Sequence, residues 1–194
     1  MDAPANLADR LRQAVGPGGG SSDFDLNPEV PAPDVRLRPA GVLIAVLPGG
    51  RVLLTKRSSH LKHHPGQIAF PGGKVDPGDV DEIGAALREA HEEVALPPDS
   101  VEVLGTLPPH RTVTGFMVTP VLALARPFQP VAEPGEVDEV FDVPLSHLLD
   151  PDNYQVQSRI WRGTVRRYYA VPWGPYYIWG ATARMLRVLA ERMR

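Results

Sequence analysis

Arg88-Glu89-Ala90-His91-Glu92-Glu93 brings three carboxylates and a guanidinium into one short run. Residues three and four apart are neighbours on a helix, so Glu89, Glu92 and Glu93 are expected on one face. Ile83, Leu87, Ala90 and Val94 form an apolar stripe elsewhere. Carboxylates crowded in this way repel one another unless a cation sits among them, and hard divalent cations such as magnesium take oxygen ligands of this kind. An isolated E-x-x-E-E is more simply read as a solvated acidic face. Here it follows Phe70-Pro71-Gly72-Gly73, a turn suited to close approach between backbone and ligand, which makes Gly72 and Gly73 candidate binding residues. The pattern predicts a helix over 79–95, with Asp79 as N-cap, Glu82 as its capping-box partner, and Pro97-Pro98 as the stop.

A second cluster lies upstream. Arg57, His60, Lys62, His63 and His64 make a positive, titratable patch in a chain whose formal charge is −3. Arg57 offers a planar fork for bidentate phosphate recognition and Lys62 a point charge. The rival reading is an exposed basic loop without a ligand. The histidines are expected to face solvent rather than to close a tetrahedral zinc site.

The run from Gly73 to Leu96 resembles the signature of the Nudix hydrolases, G-x5-E-x7-R-E-U-x-E-E-x-G-U, where U is a bulky aliphatic. Arg88-Glu89 and Glu92-Glu93 match its centre, with Ala90 at a U position. The stretch from Gly73 to Arg88 is one residue longer than the pattern, and Asp79, Asp81 or Glu82 must stand in for its upstream glutamate. Ala95 replaces its late glycine. A narrower resemblance is to the coenzyme A pyrophosphatase branch, which carries L-L-T-x-R-S-x3-R-x3-G-x3-F-P-G-G-x2-D. This chain reads Leu53-Leu54-Thr55-Lys56-Arg57-Ser58, then Lys62, Gly66, Phe70-Pro71-Gly72-Gly73 and Asp76, so that only Lys62 departs.

The resemblance implies a Nudix fold, a mixed β-sheet sandwiched between α-helices, and a pyrophosphohydrolase dependent on Mg2+ or Mn2+. It makes Glu89 and Glu93 metal ligands and gives Glu92 a further ligand or base role. Arg88 becomes an orienting partner for a glutamate. Glu136, in the Pro-rich loop that also holds Glu133, becomes an auxiliary ligand or base. Coenzyme A carries a 3′-phosphate besides its pyrophosphate, so Arg57 and Lys62 are expected to bind substrate. The products would be 3′,5′-ADP and 4′-phosphopantetheine or its acylated form. The rivals are a Nudix enzyme for ADP-ribose, dinucleoside polyphosphates or oxidised nucleotides, and a Nudix-fold binding module without turnover.

The rest of the chain must position these groups. Its 194 residues, 43% hydrophobic, suit one domain with a sizeable core, and the absence of cysteine excludes disulfides, thiolate zinc and thiol chemistry. Nothing global points to nucleic acid or an anionic membrane. The N-terminus lacks an apolar signal region and no run is long enough for a membrane span, so a cytoplasmic location is expected. Whether the protein is a monomer or a homodimer is left open.

A short helix is expected over 6–15, then a Gly/Pro-rich strap on the surface or poorly ordered, so that 1–35 precedes a domain over 36–194. Strands are expected at 40–47, 51–56, 67–70, 101–107 and 140–143, and over 112–125 as one strand broken near Pro120 or as two strands. A turn of helix is expected at 146–149, a hairpin over 156–171 turning at Arg162-Gly163, and a last helix over 180–193. Strands outnumber helices without regular alternation, which argues α+β. The aromatic residues Trp161, Tyr168, Tyr169, Trp173, Tyr176, Tyr177 and Trp179 crowd the C-terminal quarter and are expected mostly in the core.

Overall fold

The apolar run at 40–47 forms the central strand of a nine-stranded sheet. In the computed structural model, residues 6–161 and 163–194 are described. Residues 1–5 of the expected leading segment, and Arg162 of the expected hairpin turn, lie outside them. In chain order the elements are α1 Leu7–Ala14, β1 Ser21–Ser22, β2 Arg38–Leu47, β3 Arg51–Arg57, β4 Ile68–Ala69, β5 Gly72–Lys74 and α2 Glu82–Val94. Then follow β6 Val101–Thr106, β7 His110–Arg111, β8 Phe116–Ala125, β9 Val137–Pro144, α3 Leu145–Leu149, β10 Gln155–Trp161, β11 Thr164–Ala170 and α4 Ala181–Arg192.

The sheet runs β1-β7-β8-β2-β3-β4, with β5 added to β2, β6 to β8 and β9 to β3. β2 pairs with β8 in parallel and with β3 and β5 antiparallel, so the sheet is mixed. Alternation along the strands divides the core in two. Leu43, Ala45, Leu53, Val121 and Ala123 pack under Ala86, Ala90 and Val94 of α2. Ile44, Val46, Val52, Leu54 and Leu122 pack on the other face against Leu11, Leu148, Leu186 and Leu189 of α1, α3 and α4. The result is the expected α+β sandwich of helices about a mixed sheet. Gly41 permits its tightest contact, since a Cβ there would run into the Glu82 carbonyl at the start of α2.

The caps of α2 differ from expectation. Asp81, not Asp79, is the N-cap and accepts from the Gly84 N–H at 2.8 Å; Glu82 is the first helical residue and forms no capping box with Asp79. Asp79 is drawn instead to Arg88. The helix ends before the prolines, because Ala95 turns left-handed at φ 56°. The Ala95 and Leu96 N–H groups then close back on the His91 and Ala90 carbonyls at 3.0 and 3.3 Å, a Schellman-type stop.

β8 runs unbroken through Pro120. Its neighbour on one side changes there from β7 to β6, and the Pro120 carbonyl accepts from the Leu107 N–H at 2.9 Å. A residue's N–H and C=O point to the same side of a strand, so the missing N–H falls in the gap between two partners.

The strap is anchored rather than loose. Ser21 and Ser22 pair in parallel with His110 and Arg111. Asn27, 1% exposed, donates to the Arg167 carbonyl at 2.9 Å and accepts from the Arg167 N–H at 2.7 Å. Asp25 binds Arg184 of α4 at 2.9 Å. The aromatic quarter is also less buried than expected: all seven of its rings keep some exposure.

Candidate active site

Two segments converge over the end of the sheet. The Gly72-Gly73 turn opens β5 beside α2, and β3 ends at Arg57 next to the start of β9. A third segment, 131–136, is fastened to the end of α2 by the Val131 and Glu133 N–H groups, which donate to the Val94 and Glu93 carbonyls at 3.1 and 2.9 Å. The Glu136 carbonyl in turn accepts from the Ser58 N–H at 2.8 Å, holding the loop after β3 against the same segment.

These segments enclose a cleft of about 270 Å³ lined by Arg57, Gly72, Gly73, Glu89, Glu93 and Glu136, with Leu61 and Lys74 beside them. Six residues singled out in the sequence therefore meet in one place. Gly73 lies against the Glu89 carboxylate, which a Cβ at that position would push aside. Lys62 stands on the exposed part of the loop, outside the lining.

Glu93 is buried, at 5% exposure, unlike the solvated acid that an isolated E-x-x-E-E would suggest. It accepts from the Gly72 N–H at 3.2 Å. Burial first, and Glu89 next, push its carboxyl up to about 8, against the opposing pull of the Gly72 N–H and Arg57. Glu89 is raised mainly by burial and drawn back by Arg88. The Arg57 Nε is buried with no hydrogen-bond partner among the described residues. A buried acid that holds its proton and a buried donor without an acceptor thus border the same space. Such a space suits a cation near the acids and an anion near the guanidinium.

Arg88 is the hub outside the cleft. It forks onto Asp79 through Nε and Nη2 at 2.9 and 3.0 Å, and its Nη1 donates to Glu89 at 3.0 Å and Glu92 at 3.1 Å. Hydrogen bonds from Arg88 and the Asp76 N–H hold Asp79 below the usual carboxylate range. Glu92 therefore does not share the cleft face with Glu89 and Glu93. Its side chain is 54% exposed and turned to Arg88. Among the described residues no three acids or imidazoles form a closed ligand set. The donors that Glu89, Glu93 and Glu136 bring to the cleft are carboxylate oxygens, the kind that hard divalent cations take.

Sequence reasoning missed Asp79 as the partner of Arg88. The signal was the absent upstream glutamate, for which Asp79, nine residues before Arg88, was one of three possible stand-ins. It also missed the buried row Ser21–His110–Asp23, with contacts of 2.9 and 3.0 Å at the two ring nitrogens of His110.

A cleft of acids facing a guanidinium, at the end of a mixed sheet between helices, suits a bound phosphate and its cation, and the comparisons name the family. The NUDIX domain description matches residues 37–162, and the chain belongs to the Nudix family. A relative from Salmonella heidelberg strain SL476, named "Uncharacterized Nudix hydrolase NudL", is 46% identical over 168 residues, covering 85% of this chain and 88% of its own length. A relative from Salmonella newport strain SL254 with the same name has the same identity and coverage. The NUDIX domain of Shewanella oneidensis NrtR, solved with ADP ribose, superposes with a TM-score of 0.52 at 19% identity, over 88% of this chain and 95% of that one. That last likeness bears on the fold alone. The protein is a Nudix pyrophosphohydrolase, of a family that generally requires Mg2+ or Mn2+. No helix among the described residues is long and apolar enough to cross a membrane.

Proposed function

We propose that this Nudix hydrolase cleaves the pyrophosphate of coenzyme A or its derivatives, giving 3′,5′-ADP and 4′-phosphopantetheine or its acylated form. The observation that carries the reading is that Arg57 and Gly72-Gly73, from the upstream motif, border the same cleft as Glu89 and Glu93 of the signature helix. Residues far apart in the two overlapping motifs, Arg57 in the upstream one and Glu93 in the helix, would thereby address one bound group.

Glu89 and Glu93 would hold Mg2+ or Mn2+, with Glu92 joining them when it leaves Arg88. Bound there, the cation would neutralise phosphate charge and lower the pKa of water. Arg57 binds the pyrophosphate, offering its unpartnered Nε to a phosphoryl oxygen. Glu136, exposed at the cleft, takes the proton from the attacking water. Arg88 keeps Glu89 aimed into the cleft while Asp79 fixes Arg88. The segment before residue 36 serves as a clasp on the domain 36–194, and the enzyme works in the cytoplasm on a small-molecule substrate.

The test is a set of kcat/KM values with Mg2+ or Mn2+ for coenzyme A, its 3′-dephospho form, ADP-ribose, NADH, a diadenosine polyphosphate and an oxidised deoxynucleotide. Coenzyme A is expected to lead the panel by at least tenfold. A higher value for ADP-ribose or a dinucleotide would transfer the assignment to that substrate.

A further inference from the structure

A second cleft, of about 420 Å³, opens beside the first, and the coenzyme A reading above gives it a use. Lys56 and Arg57 are consecutive at the end of β3, where the pairing with β9 shifts register between them. Arg57 lines the acidic cleft and Lys56 the second one, so the two meet across the end of this strand.

Lys56 stands in register with Glu139 of β9 but makes no ion pair with it among the described residues. The Glu139 carboxylate instead accepts from the Tyr176 hydroxyl. Tyr176 is stacked face to face on Phe141, with centroids 3.6 Å apart, which fixes one wall. Trp179 forms another wall under the Arg159 guanidinium, 4.3 Å from its ring centroid. Tyr177 is 44% exposed and, among the described residues, has no ring stacked on it. The cleft thus offers, among the described residues, an ammonium without an ion pair, a carboxylate acceptor and an exposed aromatic ring, and Arg159 stands over its Trp179 wall. The cationic rim continues into the loop after β3, where partial burial, Arg57, His63 and, more weakly, Arg159 hold the His64 imidazole below its ordinary range.

We propose that this second cleft binds the base of the substrate nucleotide together with a phosphate lying outside the pyrophosphate, the base against Tyr177 and that phosphate between Lys56 and Arg159. An apolar or amide arm would leave Lys56 and Glu139 desolvated without reward. A planar base with an exocyclic amine satisfies Glu139, stacks on an aromatic ring, and carries its extra phosphate to the two cations.

The test is calorimetric titration of the full chain, without divalent metal, using adenosine 3′,5′-bisphosphate and 5′-AMP as probes. The bisphosphate is expected to bind at least tenfold more tightly than 5′-AMP. In Lys56→Ala and in Arg159→Ala that advantage should fall to less than threefold, while Lys56→Arg, which keeps the charge, retains most of it. Circular dichroism separates a folding defect from a binding defect, and Lys56→Arg carries the test if Lys56→Ala is unfolded. Equal affinity for the two nucleotides in the unaltered protein, or an advantage that survives both alanine variants, would overturn the proposal. The coenzyme A reading stands or falls separately on turnover: bisphosphate preference without coenzyme A hydrolysis removes that reading and keeps the subsite. Hydrolysis without the preference does the reverse.

Discussion

Glu93 is the residue on which site and stability pull in opposite directions. An acid in the polar phase of an amphipathic helix reads as solvent-facing, and its burial is invisible until the Gly72-Gly73 turn is folded over it. The folded, metal-free protein binds this proton more tightly than the unfolded chain does, because the carboxyl is raised from 4.5 to about 8. The resulting contribution is fully present below the unfolded value and is lost as pH rises through about 8. Denaturant titration in chelator should therefore show stability falling across that window, and Glu93→Gln should flatten the fall. The same substitution should lower metal-dependent turnover on the order of 100-fold or more, since it removes a negative ligand. Unchanged turnover would contradict the ligand assignment. Arg88→Lys should lower kcat by about 10–100-fold with little change in KM, because an ammonium cannot fork onto Asp79 while also reaching Glu89 and Glu92. A change confined to KM would instead mark Arg88 as a substrate contact.

At the scale of elements, the centres of strands and helices were legible and their ends were not. The periodicity of Ile83, Leu87, Ala90 and Val94 is unambiguous, whereas Asp79 and Asp81 are equally good caps by local chemistry. The choice is made by Arg88, two turns further on. The break expected at Pro120 failed for a similar reason: whether a proline interrupts a strand depends on which neighbour lacks its N–H, a property of the sheet. Ala95 records a conformation that an L residue adopts at a cost, at φ 56° in the position where the family pattern has glycine. Ala95→Gly should therefore raise unfolding free energy by about 0.5–1 kcal/mol, the relief of strain exceeding the added freedom of the unfolded chain. Thermal or denaturant midpoints measure this directly, and a lower midpoint would show that the strain is relieved elsewhere.

Over the whole molecule, the sandwich was legible and the wrapping was not. Alternation in the strands and the signature helix suffice for a sheet covered on both faces. The strap gives no such signal, because Gly, Ser and Pro read locally as a linker. It is held by single polar residues acting at long range, Asn27 on Arg167, Asp25 on Arg184 and Asp23 on His110. The same contacts tie the β10–β11 hairpin to the body, and with it Arg159 at the rim of the second cleft. Asn27→Ala leaves the Arg167 N–H and carbonyl without their partner and should cost about 1–3 kcal/mol in denaturant unfolding. A neutral result would mean that water replaces the side chain and that the strap contributes little.

The cleft of Glu89, Glu93, Glu136 and Arg57 is proposed to hydrolyse the pyrophosphate of coenzyme A. The most direct test is to incubate coenzyme A with the purified protein and identify the products, with Mg2+ or Mn2+, with chelator, and with Glu93→Gln in place of the native chain. Equal amounts of 3′,5′-ADP and 4′-phosphopantetheine are expected from the native protein with metal, and almost none from the other two. Intact coenzyme A in the first reaction, or undiminished cleavage by the variant, would contradict the proposal.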